Sequence, residues 1–504
     1  RLCVVEGEIL PEQNGYRVPT SRESIGLGIA NFEMLVLKCN SSTLSAALRR
    51  ISGANQMRSS TVAAMACTTR LSPAASSTQR TKSVSERYGE SVTIKVKSFS
   101  SLPNAFGRHT GIRSYSSTPT PRQQGMKDEY GAMDDSGKTY VCEGDFVLEN
   151  GQVLPQAQLR YQTYGELNEA RDNAVVICHA LTGNASLHSW WGGLLGPDLA
   201  FDTSKYFVVC CNILGSCYGS TGPMSTNPAT GSSYGIDFPD ISVKDTVRLQ
   251  LLMLQNDLKI NSVKCVIGGS FGGMQTLEYA VQGGSSTHAD FHDADGNPYV
   301  RSVIPIACGA AHTAWQIAIS ETQRQAIYKD PNWKTNPVEA KDGLNVARQI
   351  GMVSYRTAQG YVSKFDRKMQ QPKQTEGATP APTPAYGSSA PWQVKSYLEY
   401  QGEKFLSRFD PITYVKMTEQ MDSHDVARGR GESTAEVLST VKIPSLVMGI
   451  DSDVLYPLSE QKHLAENLAN CSLKVIHGDD GHDGFLLEQE QVGNHIVEFM
   501  RQHD

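Results

Sequence analysis

A chain of 504 residues is long enough for one large core or two ordinary ones, and its hydrophobic fraction of 39% implies that part of the length is not packed. The formal net charge of -6 gives no footing for nucleic-acid binding, and no uninterrupted apolar stretch reaches the roughly 18 residues of a membrane span. The 11 cysteines are scattered, without a Cys-x-x-Cys pair or a His/Cys cluster at metal-ligand spacing, which points to free thiols in a reducing compartment and to no bound metal.

The chain opens on Arg1 rather than Met, and residues before Met34 are given no weight. Across residues 34–119 Ser, Thr, Ala and Arg dominate, about a dozen Lys and Arg are present, and Glu86 and Glu90 are the only acids. Such an Arg-rich, Ser-rich, acid-poor segment has the composition of a mitochondrial presequence. Residues 44–51 would form its short amphipathic helix, and residues 113–117 resemble a processing site. The expected location is therefore the mitochondrial matrix; a disordered basic tail on a cytoplasmic protein is the alternative. Residues 1–137 are set outside the fold.

Order is expected from about residue 138. Residues 146–148 and 158–164 alternate like two paired strands around the turn Glu149-Asn150-Gly151. Residues 174–180 and 206–214 are short apolar runs bounded by turn residues, the pattern of buried parallel strands. A helix is predicted over 243–258, with Asp245 in its first turn, then strands over 263–270 and 303–307. Asp293-Ala-Asp-Gly-Asn297 has a superficial likeness to a calcium loop but lacks the remaining ligands, so a hairpin turn is expected. Residues 311–434 have helical spacing, interrupted by a Pro-rich loop near 371–391 that resembles a disordered insert. Strand patterns return at 444–450 and 473–476. The alternation predicts an α/β fold with a mostly parallel sheet and helices on both faces. Its core is divided into 138–310 and 435–504 by a helical lid at 311–434.

Val266-Ile-Gly-Gly-Ser-Phe-Gly-Gly-Met-Gln275 is the stretch around which the rest is organised. A β-branched run stops in glycines and a helix opens at once, so Gly268-x-Ser270-x-Gly272 sits on a strand-turn-helix, where a strained turn exposes the serine hydroxyl at the sheet edge. A serine hydroxyl is a poor nucleophile near neutral pH and needs a base oriented by a carboxylate. On this kind of sheet the partners follow in the order acid, then histidine. Ile450-Asp-Ser-Asp-Val-Leu-Tyr-Pro457 leaves a predicted strand into an acidic loop, and Gly478-Asp-Asp-Gly-His482-Asp-Gly-Phe485 places a histidine in a Gly-rich loop after the last strand. His463, on an amphipathic helix, and His477, at a strand end, are expected to be structural or exposed. Acyl transfer also needs oxyanion donors; the amide of Phe271 supplies one, and that of Leu181, in the loop His179-Ala-Leu-Thr-Gly-Asn184, is placed to supply the second.

Taken together, His179-Ala-Leu-Thr-Gly183, Asn212-Ile-Leu-Gly-Ser-Cys-Tyr-Gly-Ser-Thr-Gly-Pro223, Gly268-Gly-Ser-Phe-Gly-Gly-Met-Gln275, His424-Asp425, Ser452-Asp-Val-Leu-Tyr-Pro457 and Gly481-His-Asp-Gly-Phe485 resemble the homoserine O-acetyltransferase family from about residue 140 to the end. The resemblance implies an α/β-hydrolase fold with a helical lid and transfer of acetyl from acetyl-CoA, as co-substrate, to an amino-acid hydroxyl through an acyl-serine, with no permanently bound cofactor. By position it implies Ser270 as nucleophile, Asp453 as acid and His482 as base. It further implies Arg324 as the lid arginine on the substrate carboxylate, Asp483 as an acid near the substrate amino group, and a homodimer. From the residues alone, an arginine on a helix such as Arg324 is expected to be solvated. The family's usual residue after the nucleophile is methionine, and here it is Phe271. With the leader and the Pro-rich loop, that departure is similar to a fungal mitochondrial branch that acetylates L-serine for cysteine synthesis. L-serine is the expected acceptor and L-homoserine, for methionine synthesis, the alternative; a serine esterase or thioesterase is the competing reaction class.

Overall fold

A computed structural model describes residues 137–370 and 390–503, together with the backbone of two short strands nearer the start. These strands, β1 (Ser83–Ser85) and β2 (Ser91–Thr93), pair antiparallel inside the segment assigned to the leader. The expected presequence helix, the processing site and residues 371–389 of the Pro-rich loop lie outside the described residues.

After β3 (Lys138–Val141), a hairpin of β4 (Asp145–Val147) and β5 (Val153–Pro155) precedes β6 (Gln158–Tyr164). The expected pairing of residues 146–148 with 158–164 is thus wrong. The Glu149-Asn150-Gly151 turn does form, with Gly151 at φ +83° and Leu148 N–H donating to Gln152 O at 2.7 Å. A turn that tight returns the chain onto residues 153–155, while both edges of β6 are taken by β3 and by β8 (Phe207–Cys211).

With β7 (Ala174–Cys178), β9 (Val263–Gly269), β10 (Val303–Ile306), β11 (Ser445–Ile450) and β12 (Cys471–Ile476), these strands form an eight-stranded sheet in the order β12-β11-β10-β9-β7-β8-β6-β3. It is parallel from β8 to β12 and antiparallel at β6 and β3. Strands β7 and β8 are apolar throughout because both faces are covered. Val176, Cys178, Val209 and Val266 enter one core layer, while Val175, Ile177, Val208 and Ile267 enter the opposite one.

Helix α1 (Val243–Asn256) begins at a capping box: Ser242 Oγ accepts from Asp245 N–H at 3.2 Å and Asp245 Oδ2 accepts from Ser242 N–H at 3.0 Å. Helix α2 (Phe271–Gly284) follows the elbow and is buried along its whole length. Residues 293–297 form the expected hairpin turn, flanked by a His292–Pro298 bridge, and the Asp293 carboxylate is occupied by the amides of Asp295 and Asn297 and by Arg301.

Between β10 and β11 lie α3 (Ala314–Tyr328), α4 (Lys341–Ser354), α5 (Ala358–Phe365), α6 (Gln393–Leu406) and α7 (Pro411–Asp422). The two ends of this insertion are stapled to each other. Ala311 bridges Asp425, His312 N–H donates to His424 O at 2.8 Å, and Val426 N–H donates to Ala310 O at 3.0 Å. His424, whose pKa burial lowers to about 4, is held neutral and donates from Nε2 to Gly309 O at 2.9 Å. Helix α8 (Thr434–Ser439) leads into β11, α9 (Leu458–Asn467) follows it, and α10 (Gly484–Leu487) and α11 (Gln489–Gln502) close the chain. Among the described residues no helix is long and apolar enough to cross a membrane.

Candidate active site

Ser270 stands between the end of β9 and the first turn of α2 at φ 59°, ψ -122°, a region that non-glycine residues rarely occupy. The strain is held by the surrounding backbone: Ser270 N–H donates to Ile306 O at 2.9 Å and Ser270 O accepts from Met274 N–H at 3.1 Å. Gly272 is required by space, since a Cβ there would lie 2.1 Å from Cys178 O. This close approach brings the opening of α2 against the end of β7, and with it the loop that carries Leu181.

His482 Nε2 lies 2.7 Å from Ser270 Oγ, and His482 Nδ1 lies 2.7 Å from Asp453 Oδ2. The other oxygen of Asp453 accepts from the amides of Leu455 at 2.8 Å and Tyr456 at 2.9 Å, which fixes the carboxylate without a second cation. All three side chains are buried. Burial disfavours the charged imidazole of His482, but the charge and hydrogen bond of Asp453, with help from Asp483, outweigh it and leave the pKa above its ordinary value. The neighbouring candidates fall elsewhere. Asp451 pairs with the exposed His477 at 2.7 Å, and His463 bonds Thr434 Oγ1 at 3.0 Å. Two acids and two histidines on adjacent loops thus form two separate pairs, and only one of them reaches the serine.

Phe271 is the first residue of α2, so its N–H has no acceptor within the helix. Leu181 occupies the turn closed by Gly183 N–H to Ala180 O at 2.9 Å, which does not use its amide. His179 holds this loop: burial lowers its pKa to about 4, and the neutral ring donates from Nδ1 to Ala180 O at 2.8 Å while Nε2 accepts from Ile213 N–H at 3.2 Å. From the insertion, Arg408 donates to Thr182 O at 2.8 Å and to Tyr218 Oη at 2.7 Å. Leu181, Phe271 and Met274 share one apolar cluster with Ile327, Leu344, Phe405 and Tyr414 of the insertion and with Leu455 and Tyr456 of the acid loop. The insertion therefore packs directly on the loops around Ser270.

Arg324 is 5% exposed, against the expectation of a solvated helix arginine. Its Nε pairs with Glu321 Oε2 at 3.0 Å and its Nη2 with Asp422 Oδ2 at 2.6 Å, while Nη1 is buried with no hydrogen-bond partner among the described residues. Burial opposes its charge, and Asp422 and Glu321 more than offset the effect. Asp483, next to the base, forms an ion pair at 2.8 Å with Arg356, which also pairs with Asp480 at 2.6 Å. Sequence reasoning missed Arg356, Arg408, His312 and Asp422. Each acts through a partner 124 to 226 residues away in the first two cases and 98 to 110 in the last two, and nothing local marks such pairs.

The arrangement can run nucleophilic acyl chemistry. His482 is within reach of the Ser270 proton, and Asp453 orients the ring and stabilises its charged form.

A family model described as the alpha/beta hydrolase fold matches residues 173–489. The homoserine O-acetyltransferase of Salinibacter ruber is 46% identical over 351 residues, covering 69% of this chain and 93% of that protein. The homoserine O-acetyltransferase of Saccharomyces cerevisiae is 38% identical over 433 residues, covering 72% of this chain and 86% of its own. Among solved structures, the homoserine O-acetyltransferase of Bacillus anthracis superposes with a TM-score of 0.61 at 24% identity, over 72% of this chain and 97% of that chain, which speaks for the fold alone. The elbow serine with its histidine and aspartate, the inserted helices and the similarity to these relatives over most of their length lead to one conclusion: this chain belongs to the homoserine O-acetyltransferase family of α/β-hydrolase-fold acyltransferases.

Proposed function

We propose that the protein transfers acetyl from acetyl-CoA to L-homoserine through an acetyl-Ser270 intermediate. The observation that carries the reaction type is the continuous relay from Asp453 through His482 to Ser270, with both contacts at 2.7 Å. In this reading Ser270 Oγ attacks the thioester carbonyl as its proton passes to His482 Nε2. The Leu181 and Phe271 amides receive the oxyanion, and collapse expels CoA, whose sulfur takes the proton from His482. The amino-acid hydroxyl then attacks the acetyl-serine, giving its proton to His482, and the ester leaves as Ser270 recovers it. Arg324 receives the acceptor carboxylate at Nη1, and Asp483, already paired with Arg356, faces the acceptor amino group.

The choice of L-homoserine rests on what the relatives are named, and it replaces L-serine, the acceptor expected from the residues, as the first reading. A second reading keeps L-serine on one observation: Phe271 is fully buried in the cluster that joins the elbow to the insertion, and its ring is bulkier than the family's methionine. One methylene is worth about 1–3 kcal/mol in a pocket, so the preference is a matter of roughly 10–200-fold. Competition between the two amino acids at equal concentration decides it. Faster acetylation of L-homoserine supports the first reading, and faster acetylation of L-serine overturns it in favour of the second. A serine hydrolase with the same triad would instead release CoA at a rate indifferent to either amino acid. Mitochondrial targeting by the leader and a homodimer belong to the same proposal; a reporter fused to residues 1–137 and the mass of the protein in solution test them.

A further inference from the structure

We propose that His312 and Asp422, which meet at the neck of the helical insertion, form a positioning pair that aims Arg324 at the acceptor carboxylate. The inference deepens the acetyl-transfer reading and rests on it.

Arg324 has a planar fork of donors, and where the fork points depends on which of them are already engaged. Asp422 takes Nη2 at 2.6 Å and Glu321 takes Nε at 3.0 Å, which leaves Nη1 as the buried nitrogen without a partner. The two anchoring carboxylates differ. Glu321 is on the same helix as Arg324, three residues earlier, and its side chain is 46% exposed; Asp422 is 21% exposed and comes from the far end of the insertion. A single oxygen contact would leave the Asp422 carboxylate free to rotate. Its other oxygen is held by His312 Nδ1 at 2.9 Å, and the His312 side chain is only 1% exposed. The carboxylate is thereby gripped at both oxygens, one by the clamp and one by its support.

His312 is fixed in turn from two sides. Its backbone N–H donates to His424 O at 2.8 Å, beside the Ala311–Asp425 bridge of the neck. Its ring stacks on Tyr456 at 6.2 Å and 28°, and Tyr456 lies over the base His482 at 5.1 Å and 30°. Tyr456 also belongs to the acid loop, where its amide binds Asp453 at 2.9 Å. The array His482, Tyr456, His312, Asp422, Arg324 is therefore contiguous, so the clamp for the acceptor is registered against the base that must take the acceptor's proton. An acceptor held even slightly out of line would lose rate steeply.

The experiment uses the full chain and separates the two half-reactions. The burst of CoA with acetyl-CoA alone reports acylation, which does not involve Arg324; steady-state turnover with L-homoserine and, separately, L-serine reports the acceptor step. For His312→Ala the burst should stay within about twofold of wild type, while KM for the amino acid rises roughly 10–100-fold, the effect of losing a hydrogen bond to a charged group. His312→Asn retains a donor at the place of Nδ1 and should stay within about threefold of wild type. Asp422→Asn, with one acceptor oxygen where two donors converge, should behave like His312→Ala. The proposal is overturned if His312→Ala slows the burst and the acceptor step equally, if it leaves the amino-acid KM unchanged, or if His312→Asn is as impaired as His312→Ala. A wild type that gives the burst but acetylates neither amino acid would instead defeat the acceptor reading itself, and this proposal with it.

Discussion

Ser270, Asp453 and His482 follow three strand ends at one edge of the sheet; backbone groups fix Ser270 and Asp453, and Asp453 in turn fixes His482. Arg324, Asp422 and His312 come from the helical insertion and its neck, and they are fixed by each other's side chains across 98 to 110 residues of sequence. The proposed catalytic edge is thus positioned by the sheet, whereas the proposed acceptor side is positioned by side chains of the insertion and its neck. The lesson is that the two halves of one site should fail differently. Edge substitutions should destroy acylation itself, and insertion substitutions should spare acylation and spoil only the recognition of the acceptor.

The largest effect is expected at the edge. Ser270→Ala should lower turnover by about 10⁶-fold and leave no acetylated protein after acetyl-CoA, as judged by intact mass. Substantial residual turnover would mean that the nucleophile lies elsewhere. Asp453→Asn should cost about 10⁴-fold in kcat, because the imidazolium loses the charge that stabilises it and the ring its enforced orientation. The same substitution carries a pH signature. The base must be neutral to accept the serine proton, and Asp453 raises its pKa by stabilising the charged form. Acylation should therefore rise with pH through a midpoint above the ordinary histidine value of 6.5 and fall off as pH drops below it. In Asp453→Asn the midpoint should move down; an unmoved midpoint would detach the observed titration from His482.

On the insertion side the effects shrink and change character. Arg324→Lys should raise KM for the amino acid roughly 10–100-fold while the CoA burst is retained, since an ammonium cannot reproduce a fork held at two nitrogens and open at a third. Equal losses in both half-reactions would erase the distinction between the two regions. Smallest of all is Phe271→Met, which sits where the regions touch. Its amide belongs to the edge and is unchanged by the substitution; its side chain belongs to the cluster shared with the insertion. The ratio of L-homoserine to L-serine acetylation should increase by about tenfold or less, with the acylation burst unaltered. A constant ratio would place acceptor selection wholly within the insertion.

The contrast also explains what could be read from the amino acids alone. A strand end followed by Gly-x-Ser-x-Gly, an acidic loop and a Gly-rich histidine loop is local, because backbone geometry demands those residue types at those positions. The parallel strands were legible for the same reason: burial on both faces requires runs such as Ala174–Cys178 to be apolar throughout. Pairing across the sheet was less so. Residues 146–148 have the alternation of a strand, yet alternation does not say which neighbour a strand takes, and the turn at Gly151 sent them to Val153–Pro155 instead of to β6. On the insertion, Arg324 had only an implied role, and its burial, Asp422 and His312 were invisible. Helical spacing shows that a helix exists, but a buried ion pair between distant helices leaves no periodic trace. The choice between Asp451 and Asp453 was likewise open from the residues and is fixed by which carboxylate reaches His482 and which reaches His477.

The most direct test of the account is the intact mass of the full chain mixed with acetyl-CoA alone and then with amino acid. One acetyl group per chain is expected, located on the peptide that contains Ser270, stable while acceptor is absent and discharged on addition of L-homoserine to give its O-acetyl ester. A protein that carries no acetyl group under these conditions, or one whose acetyl group is lost to water at the same rate with and without the amino acid, would contradict it.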